Sequence, residues 1–423
     1  MINAEQIQTI VKRDGAVGAV HTIYQLLGLE NPETGVRYWN QELDQPVLES
    51  KSPWKPSMLS VKELAKGFMG CDGEPLDRAL GQSCRAHREV GDVLEAGAEI
   101  VPSQFANISA FNAATAGLLE ARMLEAYTRP MFVLTNVVET IPSNKRQEKL
   151  IGIGMVGDNA EERKPGNPHH RINLPERYVT SPLTVNRGNG VDVTREAVMF
   201  DLTRELLSQA ETASETLGLR KEYLITDCVI GVTNTYTYNG TTYNTYLTSG
   251  NWINKLASNP LSDWTNFNAA NQLFAQMTDQ ETGQPIEVDV KQVLVMPYKE
   301  MSSRYVFNFT GLENTSSDLT RRGFAPNPLG GGRYEFLPPS KYAYRRATDA
   351  TGLNLSAANA QVYWWLGDFK RAFAWVQNIP LTIVRATATD YQMADRGLMF
   401  SLFADEMGTP MVKDPRFVVV STN

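Results

Sequence analysis

An α+β fold is the class this 423-residue sequence predicts, and three features carry it. A long helical pattern with one apolar stripe begins near residue 192. Two stretches of period-2 alternation around a polar tip stand just before it. The C-terminal part is a succession of strand-like runs. Lys and Arg number 40 against 47 Asp and Glu, for a net charge of −7. Nucleic-acid readers are usually basic with a clustered Lys/Arg face, so sequence-specific binding is not expected. No apolar run approaches the ~18 residues of a membrane span, and no apolar stretch of signal-peptide type opens the chain. Three cysteines, Cys71, Cys84 and Cys228, form no CxxC pair and read as free thiols of a reducing compartment.

Residues 1–100 read as loosely built. Ile7–Val11 and Val17–Leu27 each predict a short amphipathic helix, the second ended by Gly28. After a Pro- and Gly-rich stretch, Ser60 with Glu63 three residues on has capping-box spacing, and Gly67 and Gly70 are expected to close that helix. Asn107–Tyr127 is a stronger helical run ending at Arg129-Pro130, and Met131–Ile141 reads as strand.

Lys149–Val156 and Arg177–Asn186 predict a projecting two-stranded ribbon around a tip holding Gly157, Pro165, Gly166, Asn167 and Pro168. Ile151, Ile153 and Met155 fall on one face of the first stretch, and Val179, Ser181, Leu183 and Val185 fall together on the second by the same alternation. An isolated hairpin is marginal in water, so a ribbon this long is expected to rest on a neighbouring subunit. Residues 145–196 carry nine basic and seven acidic side chains, a mixed surface suited to contacts between subunits.

The long helix is expected to be capped by Asp192 or Thr194, with a stripe of Met199, Leu202, Leu206, Ala210, Ala213 and Leu217, and to end at Gly218. Asn239-Gly240 between alternating Thr/Tyr runs predicts a tight hairpin. Thr265–Met277 reads as helix and Val290–Met296 as a buried strand, whereas Gly311–Thr351 reads as irregular loop. Ile379–Val384, Leu398–Phe403 and Phe417–Val420 are the closing strands.

No catalytic constellation emerges. The four histidines, His21, His87, His169 and His170, accompany no GxSxG elbow, and His169-His170 lacks HExxH or Cys spacing, so solvated loop histidines are the simpler reading. Gly330-Gly331-Gly332 lacks the Lys-Ser/Thr of a phosphate loop, and Gly152-Ile153-Gly154 is too short for a dinucleotide fingerprint. Tyr363-Trp364-Trp365 and Trp375 read as core or interface packing. No catalytic, cofactor-binding or metal-binding residue is therefore assigned, and no cofactor is expected.

The order of elements resembles that of Hong Kong 97-type phage major capsid proteins over roughly residues 105–423. Val193-Thr194-Arg195-Glu196-Ala197 and the helix after it are similar to the end of the family's extended loop and its spine helix. Phe373–Ile383, Asp395–Glu406 and Pro410–Val420, with Asp414-Pro415-Arg416, are similar to its closing strands. The resemblance implies an α+β, Hong Kong 97-like capsid fold. Residues 1–130 would be an N-terminal arm or scaffold-like segment, either cleaved or retained. Residues 131–144 would start the peripheral (P) domain, 145–191 form the extended loop, and 192–225 the P-domain spine helix. Residues 226–378 would build the axial (A) domain, 379–406 the P-domain strands, and 407–423 the A-domain C-terminal strand.

What the resemblance implies for function is a non-enzymatic major head protein of a tailed phage or prophage. It would assemble in the host cytoplasm as pentamers and hexamers of an icosahedral virion capsid, enclosing double-stranded DNA without sequence-specific binding and without a membrane. Portal, scaffold or decoration proteins are further candidate partners. An encapsulin-like nanocompartment is the alternative, and an enzyme the third reading. Some members of the family cross-link covalently through a Lys, an Asn and a Glu. Here Gly397 falls at the Asn position and Ala404 at the Glu position, so noncovalent closure is expected.

Overall fold

The computed structural model describes residues 2–31, 33–40, 45–49, 51–69, 102–127, 132–151, 177–194, 196–197, 205–250, 252–279, 283–308, 311–313, 324–326, 329, 334–387, 392 and 395–422. In chain order its main helices are α1 (Ala4–Leu27), α2 (Val61–Met69), α3 (Pro102–Tyr127), α4 (Val133–Val137), α5 (Glu205–Ile230), α6 (Trp264–Ala275), α7 (Glu300–Asn308) and α8 (Lys341–Thr348). The strands are β1 (Trp39–Asn40), β2 (Gln45–Pro46), β3 (Glu139–Pro142), β4 (Lys149–Ile151), β5 (Tyr178–Thr180), β6 (Val185–Thr194), β7 (Thr235–Tyr238), β8 (Thr241–Asn244), β9 (Lys255–Leu256), β10 (Gln292–Val295), β11 (Gly311–Glu313), β12 (Phe324–Pro326), β13 (Glu335–Phe336), β14 (Trp364–Gly367), β15 (Phe373–Thr387), β16 (Leu398–Val412) and β17 (Val418–Ser421). They fall into two compact units, one of residues 1–129, 186–219 and 379–407, the other of 130–185, 220–378 and 408–423.

In the first unit α1, α2 and α3 pack as a helical bundle rather than as loose chain. Ile7, Ile23, Leu27, Leu64, Phe68 and Phe111 are buried there together with Leu207, Ala210 and Leu217 of α5 and Phe400 of β16. Glycines permit two of the helix contacts. A Cβ on Gly67 would stand 2.5 Å from Ile7 Cγ2, so this residue lies inside α2 for close packing and does not end it. Gly117 of α3 leaves the space filled by the Tyr24 ring, whose hydroxyl donates to the Ala113 carbonyl at 2.8 Å. The two short helices expected at the N-terminus meet at Gly15, whose non-helical backbone (φ 74°, ψ 168°) breaks α1 in two, and the second is ended by Gly28 (φ 76°). Glu63 does not close a capping box on Ser60; it accepts from the Ala4 amide at 2.8 Å and ties α2 to α1.

The second unit is built on a five-stranded sheet in the order β13-β10-β14-β17-β9. Val293–Val295, Trp364–Leu366 and Val418–Val420 are all buried in it. Strands buried on both faces read as continuous apolar runs, which is why these were visible in sequence. Trp364 Nε1 donates to the Asn259 carbonyl at 2.8 Å. Trp365 and Trp375 are 0% and 2% exposed, so the Tyr/Trp-rich stretch is core. Helix α8 falls where loop was expected: Ser340 accepts from the Ala343 amide at 3.2 Å, and Ala343 and Ala347 form its buried face.

Two further differences have clear causes. The segment read as strand from Met131 is helical over α4, because the Glu222 carboxylate accepts from the amides of Leu134 (3.0 Å) and Thr135 (2.8 Å). A tertiary anchor here overrides the β-branched composition. Helix α5 runs through Gly218 to Ile230, and the left-handed position that follows it is Gly231 (φ 85°). Gly218 is buried in the helix, so packing offsets its cost of about 1 kcal/mol.

Candidate assembly elements

The polar tip of the expected ribbon, with His169, His170 and Gly152-Ile153-Gly154, lies outside the described residues. Its root is the pair of strands β4 and β5. β4 and β5 pair antiparallel with Lys149 opposite Thr180 and Ile151 opposite Tyr178. The Glu148 amide donates to Ser181 Oγ at 2.9 Å, the Ser181 amide to the Glu148 carbonyl at 2.8 Å, and the Thr184 amide to the Arg146 carbonyl at 3.0 Å. Ser143 donates to Glu148 at 2.6 Å and, with Lys145 at 3.3 Å, holds that carboxyl below its ordinary range. Asn378 donates to the carbonyls of Ser143 and Lys145, at 3.0 and 2.7 Å.

The root has an intramolecular partner that sequence reading did not foresee. β5 pairs with β7, so that β4, β5, β7 and β8 form one four-stranded sheet. Asn239 (φ 48°) and Gly240 (φ 79°) make the expected tight turn of β7–β8, and Asn239 accepts from the Tyr178 amide at 2.9 Å. The returning stretch is not one strand. Residues 181–184 break it, and the inward phase shifts from Val179 and Ser181 to Thr184, leaving Leu183 and Val185 56% and 50% exposed. Ile151 on β4 is 93% exposed.

Behind this root is a cluster of buried charges. Arg177 Nη1 lies 2.9 Å from Asp279 Oδ2. Arg416 Nη1 lies 3.3 Å from the other oxygen of Asp279 and grips Asp414 with Nε and Nη2 at 2.8 and 2.7 Å. The four side chains are at most 10% exposed. Burial pulls the Arg416 pKa down, but the carboxylates of Asp414 and Asp279 together raise it by more, so it stays charged. Asp414-Pro415-Arg416 stood out in the sequence, but its partners are 137 and more residues away and left no local signal.

Of the two caps expected for the long helix, Thr194 Oγ1 accepts from the Ala197 amide at 3.2 Å, before α5 begins at Glu205, and Asp192 accepts from Ser401 at 2.6 Å. Of the expected stripe, Ala210 and Leu217 are buried and Ala213 is half-buried. The side chains of Met199, Leu202 and Leu206 lie outside the described residues. Leu207 and Ser214 occupy the buried face, and Ser214 donates to the Met123 carbonyl at 2.7 Å.

The remaining sequence candidates carry no shared site. The exposed His21 has Nδ1 3.1 Å from the buried Glu30, and His87, Gly330–Gly332, Cys71 and Cys84 lie outside the described residues. Cys228 is a buried thiol whose pKa burial pushes up to about 12. Gly397 (φ 61°) has open space around it, and Ala404 is fully buried, so neither position offers an amide or a carboxylate for cross-linking. Among the described residues no three His, Cys, Asp or Glu side chains gather as a metal site, and no helix is long and apolar enough to cross a membrane.

The model of a phage capsid protein family matches residues 178–421, more than half of the chain. The chain belongs to the phage capsid protein family. That family contains the resemblance drawn from the closing strands and the long helix, and the α+β fold is the expected one. Among solved structures this capsid protein is similar to the capsid of the native GTA particle, at 10% identity, TM-score 0.44, covering 70% of this chain and 90% of that one. It is similar to the cyanophage Pam1 capsid at 12% identity and TM-score 0.42, covering 70% and 92%. It is also similar to a phage-related protein from Bordetella bronchiseptica at 12% identity and TM-score 0.41, covering 72% and 95%. No curated protein matches it. The capsid protein is thus a major capsid protein, a structural shell component of the virion, and the encapsulin-like alternative is not favoured.

Proposed function

We propose that this capsid protein closes into an icosahedral head of pentamers and hexamers around double-stranded DNA, in a tailed phage or prophage assembled in the host cytoplasm. Residues 145–191 act as the extended loop. Residues 131–144, 192–225 and 379–406 act as the P domain, 226–378 and 407–423 as the A domain, and 1–130 as the N-terminal arm. The observation that carries the loop's role is the apolar surface at its root, where Ile151, Leu183 and Val185 are half or more exposed. Side chains of this kind, in a chain whose family builds shells, are suited to burial against a second copy. Heterologous contacts close into rings only when each rotation is right, so the loop's direction matters as much as its stickiness. The net charge of −7 suits a container that encloses DNA without gripping it.

Electron microscopy of the purified chain should show closed particles, with the deletion of residues 157–172 giving a folded subunit that assembles poorly. A compact monomer that persists at high concentration, or normal particles from the deletion, would sink this reading of the loop.

A further inference from the structure

We infer that the buried cluster Arg177–Asp279–Arg416–Asp414 is a clamp that fixes the direction in which the extended loop leaves the second unit, and so the uniformity of shell closure. The inference rests on the proposed role of residues 145–191. Arg177 immediately precedes β5, the strand on which the loop returns. Its guanidinium is bonded to Asp279 at 2.9 Å. Asp279 is itself rigidly held: its amide donates to the Gln284 carbonyl and its carbonyl accepts from the Gly283 amide, each at 2.8 Å. Its second oxygen faces Arg416 at 3.3 Å. Arg416 in turn is held in two-pronged fashion by Asp414, which also accepts from the Arg416 amide at 3.0 Å. The loop is therefore wired through one turn to the C-terminal segment of the chain.

Solvated ion pairs would serve cohesion poorly and direction not at all, because they are screened and change geometry freely. A planar guanidinium locked on buried carboxylate oxygens accepts only a narrow range of angles. The desolvation such a cluster carries makes it a weak source of stability, and fixing a conformation is the use that remains.

Full-length chains carrying Arg177→Met or Arg177→Lys provide the test, read by hydrogen exchange at the amides of 178–180 in dissociated subunits and by particle diameters in electron microscopy. Arg177→Met should keep the circular dichroism of the parent, exchange at least tenfold faster at 178–180, and give particles of mixed diameter. Arg177→Lys, which keeps the cation without the fork, should fall between the two. Unchanged exchange at 178–180 in either variant would overturn the clamp, as would faster exchange with the parent's single diameter. If Arg177→Met fails to fold, Arg177→Lys decides by the same two readings. If the parent forms no closed particle, the shell reading falls separately, and the exchange comparison still decides the clamp.

Discussion

Glu222 shows what a single buried carboxylate does in this protein. It is 0% exposed, and burial lifts its pKa above the ordinary glutamate range. Hydrogen bonds from Thr135 Oγ1 at 2.7 Å and from the Leu134 and Thr135 amides oppose that lift without cancelling it. The folded state therefore keeps this proton to higher pH than the unfolded chain does. Linkage then fixes the sign: between the ordinary glutamate value, about 4.3, and the raised one, folding stability contributed by Glu222 falls as pH rises. Glu222→Gln removes that titration while keeping the side chain's shape. The stability of the parent minus that of the variant, measured by denaturant melts from pH 4 to pH 7, should decrease with rising pH. A level difference would mean the carboxyl ionises equally in both states. Nothing in the sequence marked Glu222, because its partners are 87 and 88 residues away. Asn239-Gly240 and Gly28 were legible because their requirement, a positive φ, is local.

At the scale of elements, what decides legibility is whether a helix end or a helix contact needs only its own neighbours. Gly28 ends α1 with a bond to the Gln25 carbonyl three residues back and was readable, whereas Gly218 looked like a helix end and is instead buried inside α5. The helix contacts at Gly67 and Gly117 depend on side chains 60 and 93 positions away, so both glycines could be taken for breakers. Gly117 gives a sharp test. The Tyr24 ring is pinned by its bond to the Ala113 carbonyl and cannot swing aside to admit a methyl group. Gly117→Ala should therefore cost roughly 1–3 kcal/mol by overpacking, despite the better helix propensity of alanine. Tyr24→Leu, added to it, should recover part of that loss. If thermal melts show Gly117→Ala to be neutral or stabilising, α1 and α3 do not meet as closely as described.

For the molecule as a whole, the question is whether the N-terminal helices are dispensable. The resemblance left residues 1–130 as a segment either removed or retained, and packing argues for retention. Ile7, Ile23, Leu27, Leu64 and Phe68 share a core with Phe111, Leu118 and Leu119 of α3 and with Leu207 and Leu217 of α5. Polar bonds follow the same route: Arg122 of α3 meets Glu211 of α5 at 2.6 Å, and Tyr127 donates to the buried Glu406 of β16 at 2.8 Å. Each fully buried large apolar side chain contributes roughly 1.5–3 kcal/mol, so losing those five withdraws an amount comparable with the 5–15 kcal/mol that holds a typical domain together. It would also uncover the apolar face of α3. Deleting residues 1–69 should therefore make the chain aggregate, and mass spectrometry of subunits from purified particles should find α1 and α2 still attached. Shells built from chains that lack them, at parental yield and heat resistance, would show that α3, α5 and β16 can close their core without the N-terminal helices.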